Sequence, residues 1–221
     1  MKADLPTPDL RARVLEAARA RPSPPRAEVR RSTFVSLLFG FAALAVVFFS
    51  LGGADLRTRP PSFLAMTLAG WVAIAAVATW AGAWRGRSML GRKTELLVGA
   101  AVATGPGLFA WMLLGTSMWP GTLGYRTSLA AHFVCFAMVV AMTIGPFLAF
   151  AYVRRATDPV HPRATGAALG AVAAAWAGVM VDLHCPVSEA IHVSIGHVLP
   201  IVVFAILGAL VGRRVFGVRA S

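Results

Sequence analysis

Residues 32–54, STFVSLLFGFAALAVVFFSLGGA, run without a single charged side chain. The hydrocarbon core of a bilayer is about 30 Å thick, and a helix of about 20 apolar residues crosses it. This stretch is long enough, and comparable blocks follow at 63–84, 95–114, 127–153, 163–181 and 191–212. The chain as a whole is 57% hydrophobic and 14% charged, where soluble domains carry about 25% charged residues. Its mean hydropathy is +0.71. The expectation is an all-α membrane protein, a six-helix transmembrane bundle over residues 32–221, preceded by an arm over residues 1–31 that carries a short cytoplasmic amphipathic helix.

Basic residues orient the bundle, because cytoplasmic loops are enriched in Lys and Arg. Lys2, Arg11, Arg13, Arg19, Arg21, Arg26, Arg30 and Arg31 precede the first span. Arg85, Arg87, Arg92 and Lys93 lie between spans two and three. Arg154, Arg155 and Arg163 lie between four and five, and Arg213, Arg214 and Arg219 follow the sixth. The opposite set of loops holds Arg57, Arg59 and Arg126 alone. Eighteen against three places both termini in the cytoplasm and predicts a multi-pass bacterial inner-membrane protein. The net charge of +12 is spread between apolar blocks, so it reads as topology and predicts no direct nucleic-acid partner. No cleavable signal peptide is expected, since the first apolar run is too long for a signal h-region.

Within the arm, Thr7-Pro8-Asp9 has the form of a helix start, with Thr7 as N-cap and Pro8 at the first helical position. The predicted helix covers residues 8–20. Leu10 and Val14 share one apolar stripe with Leu15 beside it, and Pro22-Ser23-Pro24-Pro25 makes a stiff linker. So short a helix is marginal alone in water. It needs a surface to fold on, either anionic lipid or a protein groove.

The outer face carries most of the chemistry. Asp182, His184, Cys185, Glu189, His192 and His197 fall within sixteen positions around the predicted turn between spans five and six. Residues 182–189 are expected to form that loop and its ends. His132 and Cys135, three apart near the outer end of span four, can join the same layer. Imidazole and thiolate are ligands for transition metals, and carboxylates can complete a site. All eight residues are therefore candidate metal ligands, although their spacing matches no CxxC or HExxH motif. His192 and His197 are five apart, about 140° around a regular helix, so one regular face cannot present both. Gly196 and Pro200 are the residues able to break that regularity. A hydrogen-bonded cap, in which Asp182 and His184 satisfy backbone groups and Pro186 fixes the turn, accounts for the same residues without a metal.

Two other patterns stand out. Gly166, Gly170, Ala174 and Gly178 recur every four residues in span five, the spacing of a close helix-packing seam. Thr104-Gly105-Pro106 and Ile144-Gly145-Pro146 interrupt spans three and four, where proline would kink a helix. Such repeats occur in transporters, but the spans hold almost no charge at mid-membrane. No nucleotide loop or catalytic triad order is present, and an enzyme is not expected.

The arm from Asp9 to Arg31, the six spans, and His184-Cys185-Pro186 with its following acidic and histidine residues resemble the NrsF-type six-transmembrane anti-sigma factors of proteobacteria. The resemblance implies that the arm binds an extracytoplasmic-function sigma factor. Leu10, Val14 and Leu15 would be its apolar anchors, with Arg11, Arg13, Arg19 and Arg21 as polar contacts. A signal at the outer face or in the membrane would release the partner. Two other readings fit the residues: a small metal-handling or transport protein with a His/Cys site at the outer face, and a structural subunit of a membrane complex.

Overall fold

The computed structural model describes residues 26–54, 59–83, 93–118, 128–155 and 161–216. The predicted helix at 8–20 and its partner-binding residues lie outside them. Residues 1–35 and 36–221 form two compact units. Within the described residues there are six helices long and apolar enough to cross a membrane, and no strand. They are α1 (Arg26–Ser50), α2 (Pro61–Gly82), α3 (Thr94–Met118), α4 (Leu129–Arg154), α5 (Pro162–His184) and α6 (Ala190–Val215).

Helix ends follow local chemistry. α2 and α5 each begin with proline at the first helical position, where a missing N–H costs nothing. α4 is capped by Ser128, whose hydroxyl accepts from the Ala131 N–H. α3 and α4 run through Pro106 and Pro146 as continuous helices. Gly145 has a packing role: it meets Gly40 of α1, where an added Cβ would lie 2.6 Å from the Gly40 carbonyl oxygen.

α5 is the hub. It packs against α2, α3 and α4, and most extensively against α6. It is the most buried of the spans because its side chains are mostly Ala and Gly, which let neighbours approach on every side. The small-residue seam is reciprocal. A Cβ at Gly166 would strike the Gly208 carbonyl, one at Gly170 the Phe204 carbonyl, and one at Gly212 the Pro162 carbonyl. Gly178 instead receives the ring of Trp71 from α2, so the outermost member of the stripe turns away from α6.

α5 extends through His184, three residues past its expected end at 181. Asp182 and His184 therefore stand on its last turn instead of in a loop. At the other edge of the sequence, α1 starts at Arg26, ahead of the apolar boundary at 32.

Gly170→Val is expected to destabilise the bundle by about 1–3 kcal/mol, the usual cost of overpacking, read as a lower Tm of the purified protein in detergent. Gly99→Ala is the control. A Cβ at Gly99 meets nothing within 4 Å, so Tm should stay the same or rise.

Candidate functional site

At the end of the bundle that holds the α5–α6 turn, four residues from three places converge. Cys135 projects from the second turn of α4, Cys185 caps the C-terminus of α5, and His192 and His197 come from the start of α6. One ligand atom of each lies within 4.8 Å of all the others, and all four side chains are buried. The Cys135 thiol donates to the Cys185 sulfur at 3.6 Å, and Cys185 Sγ is 3.2 Å from His192 Nε2. Both cysteines are free. The Cys185 thiol is held below its ordinary value by the hydrogen bond from Cys135, which outweighs burial, with His192 and His197 adding in the same direction.

The turn of α6 explains how both histidines reach one point. Val193–Val198 is a π-helical segment. Its i→i+5 hydrogen bonding brings residue 197 round nearly above residue 192, where a regular helix would leave them well apart. The two rings sit 5.4 Å apart edge to face. Gly196 lies inside the segment and faces α4. A Cβ there would be 3.1 Å from Cys135 Cβ, so glycine lets α6 close on the thiol.

His132 stands behind His192, with the two Nδ1 atoms 3.0 Å apart. One must donate and the other accept. His192 presents Nε2 to Cys185, so the arrangement suits a His192 Nδ1–H donated to His132. His197 differs from both. It is 1% exposed, and among the described residues neither ring nitrogen makes a hydrogen bond of good geometry, although the ring lies close enough to Cys185 to favour its thiolate.

The remaining three candidates do not join the four. Asp182 is buried and ion-paired, its Oδ1 3.4 Å from Arg59 Nη1. Arg59 Nη2 also donates to the Asp182 backbone carbonyl, and Thr67 Oγ1 donates to Asp182 Oδ2 at 3.2 Å. His184 Nδ1 lies 2.7 Å from the Gly53 carbonyl oxygen and joins the end of α5 to the α1–α2 connection. Gly53 itself has φ +72°, a conformation natural to glycine. Glu189 is at the N-cap position of α6, half-buried.

Arg59 was missed as a site residue. Reading it as an outer-loop charge treats it as solvated, yet it is 4% exposed. Its signal lay in Asp182, since a carboxylate closing a span whose other formal charge, Arg163, stands at the far end needs a cation nearby. Thr67 and Trp71, whose ring centroid lies 6.2 Å from that of His197, look like ordinary span residues in the sequence.

A family model described as NrsF, negative regulator of sigma F, matches residues 17–217. The chain belongs to the NrsF family. That description makes it a negative regulator with a sigma factor as partner, which accords with the resemblance drawn from the arm and the His-Cys-Pro turn. No curated protein and no solved structure matches the chain. The multi-pass architecture expected of an NrsF protein is met by the six apolar helices.

Arg59→Met would leave Asp182 buried without its cation. A loss of about 3–5 kcal/mol is expected, as for one-sided removal of a buried pair, measured as a fall in Tm. The double variant Arg59→Met/Asp182→Leu should recover most of it, because the uncompensated charge is gone.

Proposed function

We propose that this protein is an inner-membrane anti-sigma factor with both termini in the cytoplasm. It holds an extracytoplasmic-function sigma factor through its N-terminal arm and releases it on a signal received at the outer-face layer or within the membrane. Membership of the NrsF family supports a sigma-factor partner; the match runs from residue 17 through all six spans, and Leu10, Val14 and Leu15 lie ahead of it. The distribution of Lys and Arg supports the orientation.

The arm suits a sequestering role on physical grounds. Leu10, Val14 and Leu15 offer an apolar stripe for a groove on the sigma factor, and Arg11, Arg13, Arg19 and Arg21 surround it with donors. A helix too short to be stable alone folds on its partner, so modest changes in its presentation shift the bound fraction. The span that follows the arm also reaches the outer layer. Leu44 and Phe48 of α1 pack in one apolar cluster with Cys135 and Cys185. A change at the thiols therefore alters the packing of the helix that leads to the arm.

In the full chain, Leu10→Asp/Val14→Asp removes two apolar anchors. At about 2 kcal/mol each, sigma-factor capture should weaken by roughly three orders of magnitude, and sigma-dependent transcription should match that of a strain lacking the protein. Undiminished capture by this variant would show that the arm is not the binding element.

A further inference from the structure

We infer that Cys135, Cys185, His192 and His197 form a closed four-ligand site for a divalent d10 cation of the zinc type. Tetrahedral zinc with Zn–S of about 2.3 Å and Zn–N of about 2.05 Å requires S···S edges of about 3.8 Å and S···N edges of about 3.5 Å. The Cys135–Cys185 separation is 3.6 Å and the Cys185–His192 separation is 3.2 Å. The four ligand atoms lie within 4.8 Å of one another, so the ion would draw the widest edges in by about 1 Å. The donor set is two sulfurs and two imidazoles, the composition of structural zinc sites.

His197 is the independent observation. A buried imidazole with neither nitrogen in a well-formed hydrogen bond among the described residues forfeits hydrogen bonds that water would have supplied, a cost proteins rarely accept without a reason. Turned towards two sulfurs and a second imidazole, it has a reason if it binds a cation. His192 meets the second requirement of a ligating histidine. Its Nδ1 is held by His132 at 3.0 Å, which leaves Nε2 free to face the ion and sets the tautomer. His132 is thus a positioning residue and not a ligand.

Charge selects the ion. Two thiolates and a divalent cation sum to zero, whereas a monovalent cuprous ion would leave a net negative charge among buried groups, which is costly. Four protein ligands leave no open position, so the ion acts as a clamp. It ties α4, the end of α5 and the π turn of α6, and it requires both thiols to give up their protons to solvent on binding.

The test uses the full chain purified in detergent. Elemental analysis should find about one zinc per chain. After chelation, Co2+ should restore a tetrahedral spectrum with thiolate-to-cobalt charge transfer. His197→Ala and Cys185→Ser should each lose the metal while keeping the helical circular dichroism of the parent. His132→Ala should keep one zinc but with affinity about 10–100-fold weaker. If a variant fails to fold, alkylation of both thiols in the unaltered protein decides. Protection that disappears with chelator supports the site. Protein free of zinc that gives no thiolate–cobalt bands would overturn it, as would full zinc retention by His197→Ala or a Cys135–Cys185 disulfide throughout the population. Sigma-factor capture is scored separately on the same samples, so loss of the metal site and loss of the anti-sigma reading are distinguishable outcomes.

Discussion

Everything at the cysteine–histidine end of the bundle depends on how closely α5 and α6 approach one another. Lipid tails are as apolar as leucine, so helices in a bilayer gain little from hiding apolar surface and associate through close packing. Gly166 against Gly208, Gly170 against Phe204 and Gly212 against Pro162 bring backbone to backbone along most of the shared length. No side chain intervenes that could repack. The seam therefore fixes both the depth and the rotation of α6 relative to α5. With α6 pinned from Leu199 inward, the segment before it must adjust if its histidines are to meet α4. The π turn at Val193–Val198 is that adjustment. One additional residue in the turn rotates the outer part of α6 without disturbing the seam below.

The same end of the bundle holds two buried polar systems of different kinds. Arg59, Asp182 and Thr67 form a closed set in which the carboxylate receives a guanidinium and a hydroxyl. Such a pair is costly to bury and costly to break, so it resists rearrangement. It also ties the α1–α2 connection to α5, as the His184–Gly53 contact does. The Cys135–Cys185–His192–His197 set is less completely bonded, with neither His197 nitrogen in a well-formed hydrogen bond among the described residues. The first system holds the α1–α2 connection and the end of α5 in place, and the second can change state against that fixed background. Reversing the roles would fail, because a change at Asp182 would strand a guanidinium in the interior.

Hydropathy made the six spans legible, and the glycine period made the seam legible, because both follow from repeating local constraints. The direction of Gly178 was not readable, since it is set by Trp71, more than a hundred positions away in the chain. Site membership was only half legible. The residue types pointed to the correct layer, but proximity in sequence grouped Asp182 and His184 with Cys185. Helical geometry does the opposite, turning them towards Arg59 and Gly53. Conversely, a five-residue spacing argued against pairing His192 with His197, and only the π turn makes them neighbours. Nothing in Val193-Ser194-Ile195 announces that turn. Gly196 and Pro200, read as the residues able to break the helix, do mark it: the π turn contains Gly196 and ends just ahead of Pro200. The arm, where binding of the partner is proposed, is legible as a pattern of caps and stripes alone, and its residues 1–25 lie outside the described residues.

In the proposed reading, the placement of the thiols suits a signal input, because they sit where helices pack together. Cys135 and Cys185 are buried and share an apolar cluster with Leu44, Phe48, Met138 and Val139. These sulfurs face side chains from neighbouring helices. What they can do is alter the separation of those helices. Close-packed interiors transmit such a change because they have no slack to absorb it. Phe48 is 4% exposed and α1 runs unbroken from there towards its N-terminus at Arg26. In the proposed reading, a change at the thiols would reach α1 through Leu44 and Phe48, which share their cluster.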